Sequence, residues 1–173
     1  TVAIKLLHPH LAVIGSARQR FAREARAAAA VVHANLVPIH AVVAEAETPY
    51  LVMSYIPGES LQDRIDRIGS LPLADCLRIA SQIAEGLAAA HAHGLVHRDV
   101  KPANILLETG TTRVWLTDFG LARALDDATI TASGFIAGTP QFMSPEQASG
   151  EEIDHRSDLY SLGSVLYAML AGR

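Results

Sequence analysis

The residues of this chain with the clearest chemical potential lie in two short segments. One is the run His97-Arg98-Asp99-Val100-Lys101-Pro102-Ala103-Asn104, and the other is Asp118-Phe119-Gly120. Asp99 can act as a general base, and Lys101 can stabilise negative charge on a phosphate. Asn104 and Asp118 offer the hard oxygen donors that suit Mg²⁺. A base, a phosphate-facing lysine and two metal ligands in this order and at this spacing are what phosphoryl transfer requires.

Each of these residues taken alone has a more ordinary interpretation. A single Asp or Asn in a loop most often caps a turn. The joint spacing of the two segments is what favours the chemical interpretation. Three nearby histidines, His91, His93 and His97, do not predict a zinc site, because no Cys or carboxylate ligands stand at a matching spacing. His91 and His93 are interpreted as residues at the end of a helix.

The composition predicts one folded domain. The chain has 173 residues, of which 50% are hydrophobic, and this is enough for a sizeable core. A net charge of −4 provides no basic surface for nucleic acid. The single cysteine, Cys76, excludes an internal disulfide and is typical of a reducing compartment such as the cytoplasm. The longest apolar helical stretch, residues 159–171, is too short to span a bilayer, so no membrane segment is expected in this region.

The first third of the chain has the pattern of a small β-rich unit. Residues 2–7 form an apolar β-prone run and predict a strand. Ser16 is the predicted N-cap of an alanine-rich helix that runs to about Val32. Two further strands are predicted near residues 37–43 and 49–54. These elements place Lys5 on a strand and Glu24 on the helix that follows it.

The pattern becomes helical from Ser60 onward. A helical period continues to His91, and Gly94 lies where a C′ glycine would end the helix. A last helix is predicted to begin near Ser157. Two short strands precede it and flank a turn at Gly110; they cover residues 105–107 and 113–117. The catalytic candidates therefore lie between two helical regions, on loops next to these strands.

These motifs resemble those of the protein kinase family, most closely its bacterial Ser/Thr members. Val2-Ala3-Ile4-Lys5 and the segment from Gly138 to Glu146 match two further motifs of that family. The resemblance implies an α+β, bilobal kinase-like fold. It divides the chain into a partial β-rich N-lobe at residues 1–53, a hinge at 54–59 and a mainly helical, partial C-lobe at 60–173. The implied activity is ATP-dependent phosphorylation of Ser and Thr residues on protein substrates.

The resemblance gives the site residues specific roles. Asp99 would orient the substrate hydroxyl, and Lys101 would stabilise the transferred phosphoryl group, as is typical of Ser/Thr kinases. Lys5 would contact the α- and β-phosphates of ATP while an ion pair with Glu24 holds it in place. An isolated Lys–Glu pair is otherwise a surface ion pair of little energetic value. Mg²⁺, or Mn²⁺ in its place, would be bound by the two ligands already named, Asn104 and Asp118.

The segment around residues 50–58 resembles the hinge that binds adenine. Met53 would be the gatekeeper residue, and the backbone of Ser54 and Ile56 would form hydrogen bonds with the purine. Ala3 and Leu106 would enclose the ring from its two faces. Ordinary core packing is the alternative interpretation for the apolar members of this group, because adenine sites are built from core-like surfaces.

Several other residues would support the catalytic loop without contacting substrate. His97 would pack near Phe119 of the Asp118-Phe119-Gly120 motif. Asp158 would be a buried carboxylate that steadies the backbone of the catalytic loop. A charge favoured by the dipole at a helix N-terminus is compatible with the same position. Glu146 would pair with an arginine that follows Arg173 in the family.

The stretch of residues 118–146 has no clear periodicity and matches the activation segment of the family. Thr139 would contact the catalytic loop and favour hydroxyl substrates of the Ser/Thr type. Thr131 and Ser133 are the candidate phosphorylation sites, although exposed Ser and Thr residues in loops are usually unmodified. A phosphate on either residue would pair with Arg98 and order the loop.

The resemblance covers the chain but not the whole family domain. The glycine-rich loop would precede Thr1, and further helices would follow Arg173, so the isolated segment is expected to fold poorly and to be inactive. Two alternatives are a pseudokinase scaffold and a small-molecule phosphotransferase of kinase-like fold. The catalytic residues favour an active enzyme over a scaffold, and Thr139 with Ser144-Pro145-Glu146 favours protein substrates. Dimerisation for trans-autophosphorylation and a membrane anchor outside this region are both compatible with the resemblance.

Overall fold

The computed structural model describes residues 1–119 and 140–173 of the chain. Five elements form the N-terminal unit. They are β1 (Val2–Leu6), α1 (Pro9–Ala12), α2 (Gly15–Ala29), β2 (Ile39–Val43) and β3 (Tyr50–Ser54). The remaining elements follow in the order β4 (Gly58–Ser60), α3 (Leu61–Ile68), α4 (Leu73–His91), β5 (Ile105–Glu108), β6 (Val114–Leu116), α5 (Pro145–Ser149) and α6 (His155–Ala171). Short 3-10 turns cover Pro102–Asn104 and Pro140–Phe142.

The first sheet places Lys5 on the side of the sheet that faces α2. Its strands have the order β1-β3-β2, and both pairs are antiparallel. Lys5 lies opposite Leu51, which is buried in one core with Phe21 of α2. Because successive side chains of a strand point to opposite faces, Ile4 lies on the other face and is 60% exposed. The alternation of β1 therefore decides which of its side chains can reach the site.

Helix α2 differs from the prediction at its start. Its N-cap is Ile14, which forms no side-chain cap, so the prediction of Ser16 as N-cap is wrong. Tertiary hydrogen bonds hold this end instead, because the Arg18 guanidinium donates to four backbone carbonyls. Those carbonyls belong to Ala12, Ala44, Ala46 and Glu47. Three of these carbonyls lie between β2 and β3, so the Arg18 side chain anchors the first turn of α2 to that loop, although it does not cap the N–H groups of the helix.

The second sheet connects the N-terminal unit to the helical part of the chain. Its strands have the order β4-β5-β6 and pair antiparallel, with Gly110 in a left-handed turn between β5 and β6 at φ 76°. The edge of β6 that faces away from β5 pairs with the segment after α2. Leu116 N donates to Asn35 O, and Val37 N donates to Leu116 O. The strand that leads to Asp118 is therefore fixed by both parts of the molecule.

The largest core cluster lies around α4 and α6. Helix α4 ends as predicted from Gly94, which has φ 69°, while Gly94 N donates to His91 O and Leu95 N donates to Ala90 O. These two bonds form a Schellman motif. On α6, Val165 and Met169 are fully buried in the core, whereas Tyr167 on the opposite side is 60% exposed. Helix α6 is thus anchored in the core beneath the catalytic loop.

Candidate active site

The catalytic-loop residues named from the sequence are in direct contact. Lys101 Nζ lies 2.8 Å from Asp99 Oδ2. Asn104 Nδ2 donates to Asp99 Oδ2 at 2.9 Å and to the Asp99 carbonyl at 2.8 Å. The 3-10 turn that follows Lys101 brings Asn104 back toward Asp99. Because the Asn104 amide nitrogen is used in this way, its Oδ1 is the atom available to a cation.

Lys5 reaches across from the N-terminal sheet to Asp118. Its Nζ lies 2.7 Å from Asp118 Oδ2. This differs from the expected ion pair with Glu24: within the part of the chain that the structure describes, no Lys5–Glu24 salt bridge is present. Asp118 has φ 70°, a left-handed conformation that is rare for a residue with a side chain. In this structure the carboxylate of Asp118, rather than that of Glu24 on α2, holds the Lys5 ammonium group.

Both lysines of the chain belong to this site. The other twelve of the fourteen basic residues are arginines. Each lysine is paired with an aspartate of the predicted site, Lys5 with Asp118 and Lys101 with Asp99. Lys5 has a side-chain exposure of 37% and Lys101 one of 22%, so solvent and ligands reach both ammonium groups. A count of residue types in the sequence is enough to show this restriction of lysine to the site.

Asp158 holds the backbone of the catalytic loop from below. Its side chain is 1% exposed. Oδ2 accepts from His97 N at 2.8 Å, and Oδ1 accepts from Arg98 N at 2.7 Å. Arg98 has φ 66°, so the carboxylate fixes a left-handed residue directly before Asp99. Asp158 is in the first turn of α6, which agrees with both interpretations given from the sequence.

A third donor to Asp158 was missed from the sequence. His91 Nε2 lies 2.7 Å from Asp158 Oδ2. His91 had been interpreted only as a helix-end residue, because its partner is 67 residues away in the chain. A second missed residue is Gln147, whose Nε2 donates to the Arg98 carbonyl at 2.7 Å. The spacing of Ser144 and Gln147 is that of a capping box, which the structure contains and which could have been predicted.

His97 is a buried, neutral imidazole. It is 0% exposed, and its ring lies 4.4 Å from that of Phe119, centroid to centroid. Asp99 N donates to His97 Nδ1, so Nε2 carries the proton and donates to the Thr117 carbonyl at 2.9 Å. Burial lowers the pKa of His97, while Asp158 and the bond to Thr117 act in the opposite direction. The ring therefore joins the catalytic loop to the segment that carries Asp118.

The lowered pKa of His97 predicts a pH dependence of stability. Below the unfolded-state pKa of about 6.5, the unfolded chain binds a proton that the folded chain does not. The free energy of unfolding is therefore expected to fall as the pH falls from 6.5 toward the lower folded-state pKa. Urea denaturation of the full-length protein between pH 8 and pH 5 measures this slope. His97→Phe, which cannot titrate, should have a smaller slope in that range; equal slopes for the two proteins would contradict the prediction.

The segment predicted to bind adenine begins in β3, the central strand of the first sheet. Ala3 lies opposite Met53 in the sheet, so both side chains are on one face. Ser54 N donates to the Pro38 carbonyl, so this N–H is not available to a purine. Among the described residues, no backbone hydrogen bond outside the strands uses Ile56 N. Leu106 of β5 lies opposite Ser60 of β4 and is half-buried.

The end of the predicted activation segment packs against α6. Glu146 accepts from Ser157 Oγ, and this hydrogen bond lowers the pKa of Glu146. The carboxylate thus has a partner within this chain, in addition to the arginine expected after Arg173. Four of the predicted residues lie outside the described residues. They are Gly120, Thr131, Ser133 and Thr139.

Comparison with known proteins supports the interpretation of these motifs. The chain is 44% identical over 177 residues to the serine/threonine-protein kinase PknB of Mycobacterium leprae, covering 99% of this chain and 28% of that protein. It is 40% identical over 172 residues to a probable serine/threonine-protein kinase of Clostridium acetobutylicum, covering 99% of this chain and 26% of that protein. The chain therefore spans roughly a quarter of the length of these relatives.

Comparison of the fold with solved structures also finds protein kinase domains. The crystal structure of the Mycobacterium tuberculosis PknI kinase domain is 32% identical and superposes with a TM-score of 0.81, over 99% of this chain and 64% of that chain. In the described ranges, 1–119 and 140–173, no helix is long and apolar enough to cross a membrane. The protein kinase domain family matches residues 1–173 in full. With its α+β fold and its catalytic-loop motifs, this chain belongs to the protein kinase family.

Proposed function

We propose that the protein containing this chain transfers the γ-phosphoryl group of ATP to Ser and Thr hydroxyls of other proteins. The observation that carries the proposal is the contact of Asp99 with Lys101 and Asn104, together with the Lys5–Asp118 pair. The names of the relatives, which are serine/threonine-protein kinases, support the same activity. A nucleotide-binding scaffold needs neither the Asp99 carboxylate nor its lysine neighbour.

The chemical step uses the side chains in distinct roles. Asp99 accepts a hydrogen bond from the substrate hydroxyl and takes its proton as the new O–P bond forms. The bond between the γ-phosphorus and the bridging oxygen breaks, and its electron pair leaves with ADP. Lys101, already next to Asp99, stabilises the charge on the phosphoryl group during transfer. Lys5 binds the α- and β-phosphates, for which it exchanges its contact with Asp118.

The donor atoms suit a divalent cation. Asn104 Oδ1 and the Asp118 carboxylate are hard oxygen ligands, as Mg²⁺ and Mn²⁺ prefer. The cation would supply neutralisation of charge on the phosphate oxygens. Asp118 is held toward the site by its left-handed backbone, and Asn104 by its two bonds to Asp99.

We further propose the lobe division of residues 1–53, 54–59 and 60–173 and a cytoplasmic location of this region. We also predict that Glu24 pairs with Lys5 when nucleotide is bound. Two further predictions are the phosphorylation of Thr131 or Ser133 and dimerisation for trans-autophosphorylation.

Nucleotide binding is tested by chemical labelling, and the role of Lys5 is tested with the variant Lys5→Met. The full-length protein is treated with an acyl-phosphate derivative of ATP, which acylates lysines close to bound phosphates, and the labelled peptides are identified by mass spectrometry. Labelling is expected at Lys5 or Lys101, because this region contains no other lysine. It should be blocked by excess Mg·ATP, and phosphate transfer to a generic Ser/Thr protein substrate should fall by about 10²–10³-fold in Lys5→Met.

The matched control is Arg26→Met, which removes an exposed cation from the last turn of α2. Its labelling and transfer rate should equal those of the wild type. Wild-type protein that is folded but neither labelled nor active would contradict the proposed function. Labelling without any transfer would favour the nucleotide-binding scaffold instead.

A further inference from the structure

We propose that Gln147 is a positioning residue for phosphoryl transfer, which fixes the backbone of Asp99 from the segment that the family pattern associates with protein substrates. The inference rests on the proposed function. Its starting observation is that the Gln147 side-chain amide bridges two segments of the chain. Oε1 accepts from Ser144 N at 3.0 Å, and Nε2 donates at 2.7 Å to the carbonyl of Arg98, 49 residues earlier in the sequence.

The two partners of the Gln147 amide allow it one orientation. Ser144 N can only donate, and the Arg98 carbonyl can only accept. If the amide were reversed, two oxygens would face each other at Arg98 and two donors would face each other at Ser144. Gln147 N also donates to Ser144 Oγ at 3.3 Å, which completes the capping box at the start of α5. Because Ser144 is fully buried, this cap holds the Gln147 side chain at a fixed position.

The Arg98 carbonyl belongs to the peptide group that joins Arg98 to Asp99. At the other end of the same group, Asp99 N donates to His97 Nδ1 at 3.2 Å. Gln147 and His97 therefore hold the C=O and the N–H of one planar unit. A rotation of this unit would change ψ of Arg98 and φ of Asp99, and it would turn the side chain of the predicted base. The donor on Gln147 opposes that rotation.

Gln147 can act as a support because the segment that precedes it is itself fixed to α6. The Glu146 carboxylate accepts from Ser157 Oγ, and the Phe142 carbonyl accepts from Ser161 Oγ at 2.7 Å. Both serines are buried, with exposures of 0% and 3%, and they are one helical turn apart on α6. The Gln147 amide extends this support from the substrate-binding segment to the peptide group of the base.

The test compares two replacements in the full-length protein that share the loss of the Nε2 donor. Gln147→Glu retains the acceptor of the capping box but places a carboxylate oxygen against the Arg98 carbonyl. Gln147→Met has a similar length and adds no charge, but it lacks the cap as well. We expect both variants to lower kcat on the order of tenfold, with KM for ATP unchanged. The control is Gln19→Glu, which makes the same change of charge at an exposed position of α2 and should have no effect.

A second measurement does not depend on activity. Amide hydrogen exchange of the peptide that contains Arg98 and Asp99 should be faster in both Gln147 variants and normal in Gln19→Glu. Wild-type kcat in Gln147→Met would overturn the inference, because a fall in Gln147→Glu alone would then be an effect of the added charge. Wild-type kcat in Gln147→Glu would overturn it as well, since the cap alone would then suffice. If the wild type transfers no phosphate, the proposed function fails, and the exchange rates alone decide whether Gln147 holds the peptide group.

Discussion

Asp99→Asn in the full-length protein is expected to lower kcat for phosphate transfer by about 10²–10⁴-fold, the range typical of a lost general base. The substitution preserves the shape of the side chain and its contact with Asn104 at 2.9 Å can be retained through the remaining oxygen. It removes the negative charge that accepts the substrate proton. KM for ATP is expected to be nearly unchanged, because Asp99 has no proposed contact with the nucleotide.

The control for this variant is Asp66→Asn. Asp66 is an exposed carboxylate of α3 that accepts from Gln62, so the same change of one charge is made away from the site. Initial rates measured against both ATP and protein substrate separate kcat from KM. Transfer by Asp99→Asn at the wild-type rate would exclude Asp99 as the base. The proposed kinase activity would still be supported in that case, because it is tested by phosphate transfer in the wild type.

Asp158→Asn is expected to destabilise the protein by about 3 kcal/mol and to abolish most of the activity. The carboxylate accepts three hydrogen bonds with its side chain 1% exposed. An amide has one acceptor oxygen, so its NH₂ group would face a backbone N–H that is buried and left without a partner. Release of Arg98 from its left-handed conformation would then displace Asp99, and a displacement of about 1 Å can cost about 10²-fold in rate.

Asp154→Asn provides a matched comparison on the same helix. Asp154 is the N-cap of α6 and has a side-chain exposure of 43%. Asn is as good an N-cap as Asp, and the exposed ion pair with Arg156 contributes little, so a loss below about 1 kcal/mol is expected. Urea denaturation of the two variants measures the difference. Equal stability of Asp154→Asn and Asp158→Asn would show that burial of Asp158 does not determine its contribution.

The helices and strands were largely predictable because their patterns are local. The alternation in β1 and the glycine after α4 both led to elements whose observed ends agree closely with the prediction. The start of α2 was not predictable, because Arg18 anchors that turn to carbonyls 26 to 29 residues later in the chain. No local signal in the sequence identifies such partners, and Ser16 was therefore a wrong choice of N-cap.

The chemical identity of the site was determined by the sequence, because it depends on residue types at short spacing. Asp99, Lys101 and Asn104 lie within six residues and meet through a single 3-10 turn. The tertiary structure alone decided the contacts between distant segments. It paired Lys5 with Asp118, although Glu24 was expected from the family pattern, and it brought His91 to Asp158. Those contacts depend on how α4, α6 and the two sheets pack against one another, and packing geometry is not encoded by any short stretch of sequence.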